Sequence, residues 1–374
     1  MVDYIIVSIS ARALAESAKQ SGFNTVSIDY FADEDTNQYS DKVYKLNSNV
    51  DGYNEDELLQ LIQKCLKSHP NAKLVLGTGF ESKPKLIQTL QTLVTTFSNS
   101  FDTINTLKNP LTFFPLLEKH GIAYPLTQTQ KPNQPEGYLL KKIGGEGGAH
   151  ISWIKKGDTG LDEDYYYQKF IDGESYSALF IADGYESRLL GINQHLKSND
   201  DFHQTFLYRG AITLQEYDAS HQIQIEMIIE AITKETNLKG LCGIDYILTK
   251  HDEIIVLEIN PRPPATFELH QADYPLFKAH IESFNGKLFA LSKNPKAICK
   301  GHAIFYATRD IYIDEHVEWP EWIKDKPQLH TQIHETNPVC TVYAEENSLD
   351  KVRCLLFNRL TLLEARINKA HKLN

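Results

Sequence analysis

Residues 243–264 read GIDYILTKHDEIIVLEINPRPP, two apolar segments separated by a polar turn. Ile244, Tyr246 and Ile247 predict a first strand, His251-Asp252-Glu253 a turn, and Ile254-Ile255-Val256-Leu257 a second strand. A hairpin turning near Asp252 brings Asp245 back to Glu258 and Asn260. Side chains alternate across a strand, so Glu258 and Asn260 share one face while Leu257 and Ile259 take the other. Three oxygen-bearing side chains then converge, a donor set suited to Mg²⁺, which keeps some waters and completes its shell with phosphate oxygens; Mn²⁺ accepts the same ligands. The Pro261-Arg262-Pro263-Pro264 run cannot continue a central strand, and it projects Arg262 beside the cluster, where a guanidinium can grip a phosphate or carboxylate. A bare D…ExN hairpin also describes an ordinary solvent-facing turn with acidic ends; the Pro-flanked arginine and the sequence upstream favour a site.

Upstream, residues 138–151, YLLKKIGGEGGAHI, predict a short strand carrying lysine and then a glycine-rich loop. Gly144, Gly145, Gly147 and Gly148 leave backbone N–H groups unobstructed for a polyphosphate and permit a mobile flap. Alternation lets only one of Lys141 and Lys142 face such a ligand. The G-K-[ST] of a Walker loop is absent. The chain opens with YIIVS at residues 4–8, a helix-like segment at 12–18 and a strand at 25–29, a β-α-β start that implies a parallel sheet with ligands at the strands' carboxyl ends. The connection Ile9-Ser10-Ala11 lacks G-x-G-x-x-G, which excludes a dinucleotide fingerprint. Asp29 and Asp33-Glu34-Asp35 read as an exposed acidic loop in preference to a ligand site. Gly77-Thr78-Gly79-Phe80-Glu81 follows a further strand and is either a plain turn or a loop offering Glu81 to an amine or hydroxyl. Residues 107–121 predict one helix ending at Gly121, residues 206–212 a strand, and residues 348–369 a long amphipathic helix.

With 374 residues the chain has room for two or three domains, and its 41% hydrophobic and 23% charged content is that of a globular protein. A net charge of -11 argues against non-specific binding to nucleic acid or an anionic membrane. The five cysteines are widely spaced, without a C-x-x-C pair, so neither a disulfide framework nor a zinc module is indicated; Cys242 reads as a small buried residue in preference to a nucleophile. His195, His203, His221 and His251 are not at metal-ligand spacings and read as surface residues. No apolar signal core or run of spanning length is present, and a reducing cytoplasm is the expected location.

Asp245, Glu258, Asn260, Pro261 and Arg262 resemble the acidic strand and E-x-N-P-R element of the ATP-grasp superfamily, most closely its carboligase-like group related to biotin carboxylase. The resemblance covers nearly the whole chain. It implies an α/β fold with an N-terminal parallel α/β domain (1–104), a two-subdomain ATP-grasp nucleotide-binding core (105–290) and a small C-terminal segment packing on the core (291–374). By the same resemblance Lys108 contacts ATP phosphates, and Lys141 is the strand lysine, with Lys142 standing where many relatives have proline. Matching positions assign Gln168, Lys169 and Ile171 to adenine and Glu174 to ribose hydroxyls. Many relatives have Glu in place of Gln168, though an amide oxygen can still accept the adenine amino proton. Tyr208-Arg209-Gly210 resembles a Y-x-G segment, making Arg209 the second phosphate or acyl-group residue after Arg262.

Such enzymes join a small-molecule carboxylate to an amine using ATP and Mg²⁺, through an acyl phosphate. The resemblance therefore implies a carboxylate–amine ligase, with an amino-acid ligase of one-carbon cofactor biosynthesis as the narrower expectation and a homodimer compatible with relatives. An ATP-dependent kinase of a hydroxylated substrate and a non-catalytic ATP-binding regulatory protein are the alternatives.

Overall fold

The computed structural model describes residues 1–49, 52–154, 164–197, 206–289, 298–314 and 317–370. Short apolar runs separated by helices build the N-terminal layer. Its five parallel strands lie in the order Lys42–Lys45, Thr25–Asp29, Tyr4–Ser8, Lys73–Leu76, Thr96–Phe97. The strands Tyr4–Ser8 and Thr25–Asp29 are buried along their whole length, as a parallel sheet covered on both faces requires. Asn54 caps the helix Glu55–Ser68 by accepting from the Glu57 N–H, and Leu58, Ile62 and Cys65 face the core.

Where one helix was expected at 107–121, two form. Phe101–Lys108 ends at Asn109, whose side chain caps Pro110–Lys119 by accepting from the Leu111 N–H. Proline suits a first helical position, where no intrahelical N–H is needed, and disfavours helical geometry in the residue before it. The break leaves Lys108 in a last helical turn, a favourable place for a cation.

Two antiparallel sheets follow. The smaller has the order Ile151–Trp153, Tyr138–Lys142, Tyr165–Lys169, Thr127–Gln128. The larger has eight strands in the order Ile254–Asn260, Lys239–Leu248, Glu174–Asp183, Ser187–His195, Gly210–Thr213, Cys299–Tyr306, Pro338–Glu346, Ile323–Lys324. The strand expected at 206–212 is confined to Gly210–Thr213. Ile225, Ile229 and Ile232 of the helix Ala219–Thr236 pack with Phe180, Ile244 and Val256 behind the hairpin. Its last three strands lie after residue 298, and Val352, Leu356 and Leu363 of the helix Leu349–Ala370 cover them.

Arg12 ties the first helix to distant parts of the chain. Its side chain is 2% exposed and reaches Glu16 at 3.1 Å, Glu268 at 2.6 Å and Asp325 at 2.9 Å. Among the described residues no helix is long and apolar enough to cross a membrane.

Candidate functional site

The hairpin pairs Asp245 with Glu258 and Gly243 with Asn260. Its register slips between Asp245 and Tyr246, since Tyr246 pairs with Val256 and leaves Leu257 as an extra residue. Such a bulge re-aims the side chains next to it. The turn is closed by Asp252, whose backbone is left-handed at φ 60° and whose N–H donates to the Thr249 carbonyl at 3.0 Å. The Asn260 amide donates to Asp245 Oδ2 at 2.9 Å and accepts at Oδ1 from Lys108 Nζ at 2.9 Å. Lys108 Nζ also lies 3.2 Å from Glu258 Oε2. One ammonium thus spans the oxygens of Glu258 and Asn260.

The two facing carboxylates titrate apart. Burial and then the Glu258 charge push Asp245 well above the usual carboxylate range. Burial also opposes the Glu258 charge, but Lys108 and Lys141 outweigh it and hold that carboxyl low. Asp245 is therefore a carboxylate short of positive charge. Among the described residues no group of three His, Cys, Asp or Glu could hold a metal; the donor set here is two carboxylates and an amide. All its donors are oxygens and its charge is undercompensated, which fits a hard divalent cation.

Lys141 is buried, donates to Gln168 Oε1 at 3.1 Å, and is held below its usual lysine value first by burial and then by the charge of Lys108. Lys142 lines a small cleft of about 20 Å³ with Lys108, His150, Tyr166 and Glu258, so both strand lysines border the site. Gln168 is itself buried and donates to Thr127 Oγ1 at 3.1 Å. The Lys169 N–H donates to the Leu126 carbonyl at 2.8 Å, and its ammonium lies over the Tyr138 ring and donates to the Glu136 carbonyl. Ile171 lies in the connection that follows this strand. Glu174 is half-exposed and paired with Lys197 at 2.6 Å.

The glycine loop lies packed against its neighbours. Gly144, at φ 69°, would place a Cβ 2.8 Å from the Ser82 Cα, and a Cβ at Gly148, at φ 80°, would overlap the Phe206 carbonyl oxygen. The Gly147 carbonyl accepts from the Tyr208 N–H at 2.9 Å. At the loop's tip Glu146 accepts from the Gly79 N–H at 2.9 Å and from Arg262 Nη2 at 3.0 Å, while Arg262 Nε donates to Glu81 Oε1 at 2.6 Å. Two carboxylates share this arginine. Glu81 is held low against burial by Arg262, whereas burial and the Glu81 charge raise Glu146. The Arg209 guanidinium lies 4.8 Å from the centre of the Tyr306 ring.

Two site features were not visible in the sequence. Glu146 lay hidden among the glycines as a loop residue. His195, expected at the surface, is half-buried with Nε2 3.9 Å from Asp245 Oδ1 and Nδ1 bonded to Ser175 Oγ at 3.0 Å; burial pushes it down to about 4. It reaches Asp245 through strand neighbours that no linear spacing encodes. His221 and His251 lie at a helix start and an exposed turn, and His203 lies outside the described residues. Cys242 is fully buried, where burial raises its thiol far above reactivity.

Residues 107–266, which contain this hairpin, the strand lysines and the glycine loop, match the ATP-grasp domain family. That match covers an ATP-grasp domain within the chain, and the chain shares its fold with biotin carboxylase. An uncharacterised protein of Methanocaldococcus jannaschii is 26% identical over 361 residues, 92% of this chain and 88% of that protein. Tyramine–L-glutamate ligase of Methanocaldococcus fervens is 29% identical over 178 residues, 44% of this chain and about half, 54%, of the ligase. Biotin carboxylase of Campylobacter jejuni, solved as a complex with β,γ-ATP, superposes with a TM-score of 0.71 at 12% identity, over 94% of this chain and 89% of that one.

Proposed function

We propose that the chain is an ATP-dependent carboxylate–amine ligase, with an amino acid among its substrates. The observation that carries this reading is the convergence of Asp245, Glu258, Asn260, Lys108 and Lys141 beside Arg262 under one glycine loop. The tyramine–glutamate ligase relative supports an amino-acid carboxylate and an amine as the joined groups. A role in making a one-carbon cofactor is the pathway class to test first.

Asp245, Glu258 and Asn260 would hold Mg²⁺, which when bound neutralises polyphosphate charge and polarises the transferred phosphoryl group. Lys108 and Lys141 supply fixed positive charge beside it. Gln168, Lys169, Ile171 and Glu174 are assigned to the nucleoside. A carboxylate is a poor electrophile, so its oxygen first takes the γ-phosphoryl group and the amine then displaces phosphate. Arg262 orients the acyl group, with Arg209 as the second arginine. Glu146 must leave Arg262 for that, and the cleft of about 20 Å³ must widen for a polyphosphate, so the same displacement of the glycine loop serves both. The proposed division is 1–104, 105–290 and 291–374.

The test is phosphate release from Mg-ATP across a panel of amino acids and amines, with mass spectrometry of products. Release requiring both a carboxylate and an amine, with a condensed product mass, is expected. A phosphorylated hydroxyl, or release indifferent to amine, would sink the ligase reading in favour of a kinase.

A further inference from the structure

A cavity of about 220 Å³ lies between the carboxyl ends of the parallel strands and the segment that follows Arg262. Its walls include Phe31, Pro263, Pro264, Phe267 and Ile304, and it is mostly apolar. It adjoins the Arg262 cluster on two sides, through Pro263 and through Gly77-Thr78, which precede the Gly79 N–H that holds Glu146.

One patch of this apolar wall is acidic. The loop expected to be exposed is buried: Asp29, Asp33 and Asp35 are 0%, 5% and 6% exposed. Asp29 accepts the N–H groups of Ala11, Phe31 and Ala32. Asp35 accepts those of Asp325 and Lys326. Asp325 and Glu268 are taken by Arg12, and Glu16 by Arg12 and Lys324. Asp33 alone of these six acids, among the described residues, has a side chain with no hydrogen-bond or ion-pair partner, and it lines the cavity. Six carboxylates face two committed cations. That excess repels a second anion and selects a cation.

We propose that this cavity binds the amine substrate of the ligase, a primary ammonium on an apolar, ring-sized body, with Asp33 pairing the ammonium and Phe31, Phe267 and the two prolines enclosing the body. The proposal rests on the ligase reading for the word substrate, but the binding site stands on the cavity and the unpartnered carboxylate. A buried carboxylate without a partner is costly, and an ammonium relieves that cost while the apolar body fills space otherwise left to water. Asp33 is thereby a specificity residue placed outside the nucleotide machinery.

The experiment titrates 2-phenylethylamine and its charge-inverted counterpart phenylacetate into the full chain by calorimetry, with and without a Mg²⁺-bound non-hydrolysable ATP analogue. The amine is expected to bind and phenylacetate to bind at least ~10-fold more weakly, with Asp33→Asn weakening the amine at least ~10-fold and leaving analogue affinity unchanged. Ala265→Trp, which adds bulk at the exposed rim, is a second variant that keeps the core intact and should also block the amine. Equal binding of amine and phenylacetate, equal binding by Asp33→Asn and wild type, or no amine binding under either condition would overturn the proposal. Amine binding lost in Asp33→Asn, combined with no amine-dependent phosphate release, would keep the site and remove the ligase reading.

Discussion

Replacing Arg12 with Met keeps the length of the side chain and removes the cation that Glu268 and Asp325 share. In the wild type that guanidinium holds both carboxyls below their usual range, against burial. Removing one partner of a buried pair costs ~3–5 kcal/mol. Here one cation serves three acids, but His302 still donates to Glu268 and Lys324 still reaches Glu16, so a loss of about 4 kcal/mol at pH 7.5 is expected. Against a total of roughly 5–15 kcal/mol that is a large share, about 5 °C in Tm for a chain this size. Urea unfolding at pH 7.5 and 5.5 provides the assay. A lowered carboxyl contributes stability above its unfolded value and loses it as pH falls, whereas in the variant the freed acids titrate upward and are relieved by protonation. The deficit should therefore narrow at pH 5.5, and Arg12→Met/Asp325→Asn should regain about half of it. A deficit below about 1 kcal/mol, or one equal at both pH values, would refute the reasoning.

Glu258→Ala is expected to abolish Mg²⁺-dependent ATP turnover with the circular-dichroism spectrum preserved; undiminished turnover would remove the hairpin oxygens from the site. Gly147→Ala meets open space and carries only the left-handed backbone cost of roughly 1–2 kcal/mol, whereas Gly148→Ala must displace the Phe206 carbonyl. Nucleotide affinity should accordingly fall at least ~10-fold more in the second variant, and equal effects would contradict the packed loop. His270 and His280 are buried and pushed down to about 4, with His270 Nε2 2.9 Å from Asn193 Oδ1 and His280 Nδ1 accepting from the Leu241 N–H. Their stabilisation is present above pH ~6.5 and lost toward pH 4 at ~1.4 kcal/mol per pH unit each. Asp29, raised by burial to about 6, acts oppositely, losing its contribution as pH rises through that value. His280→Asn should flatten the acid limb of a urea-midpoint profile; an unchanged slope would exclude His280 as a source.

The β-α-β opening, the hairpin and the glycine loop were legible in sequence because each rests on local rules: short apolar runs, residues two apart on one strand face, and glycines where the backbone must turn left-handed. Local spacing also placed Glu258 and Asn260 on one face opposite Asp245. Which charge neutralises which is settled by folding, outside any local rule. Lys108 reaches Glu258 and Asn260 from a helix about 150 positions away in the chain, and Arg262 meets Glu81 and Glu146 from two separate segments. The acidic run at residues 33–35 shows the limit most clearly. Its composition is that of a solvated loop, yet the Asp325 and Lys326 N–H groups, from a distant segment, donate to Asp35 and allow it to be buried, and among the described residues Asp33 is left without a partner against a cavity. Burial of charge depends on partners brought together by folding, and no window of sequence contains them.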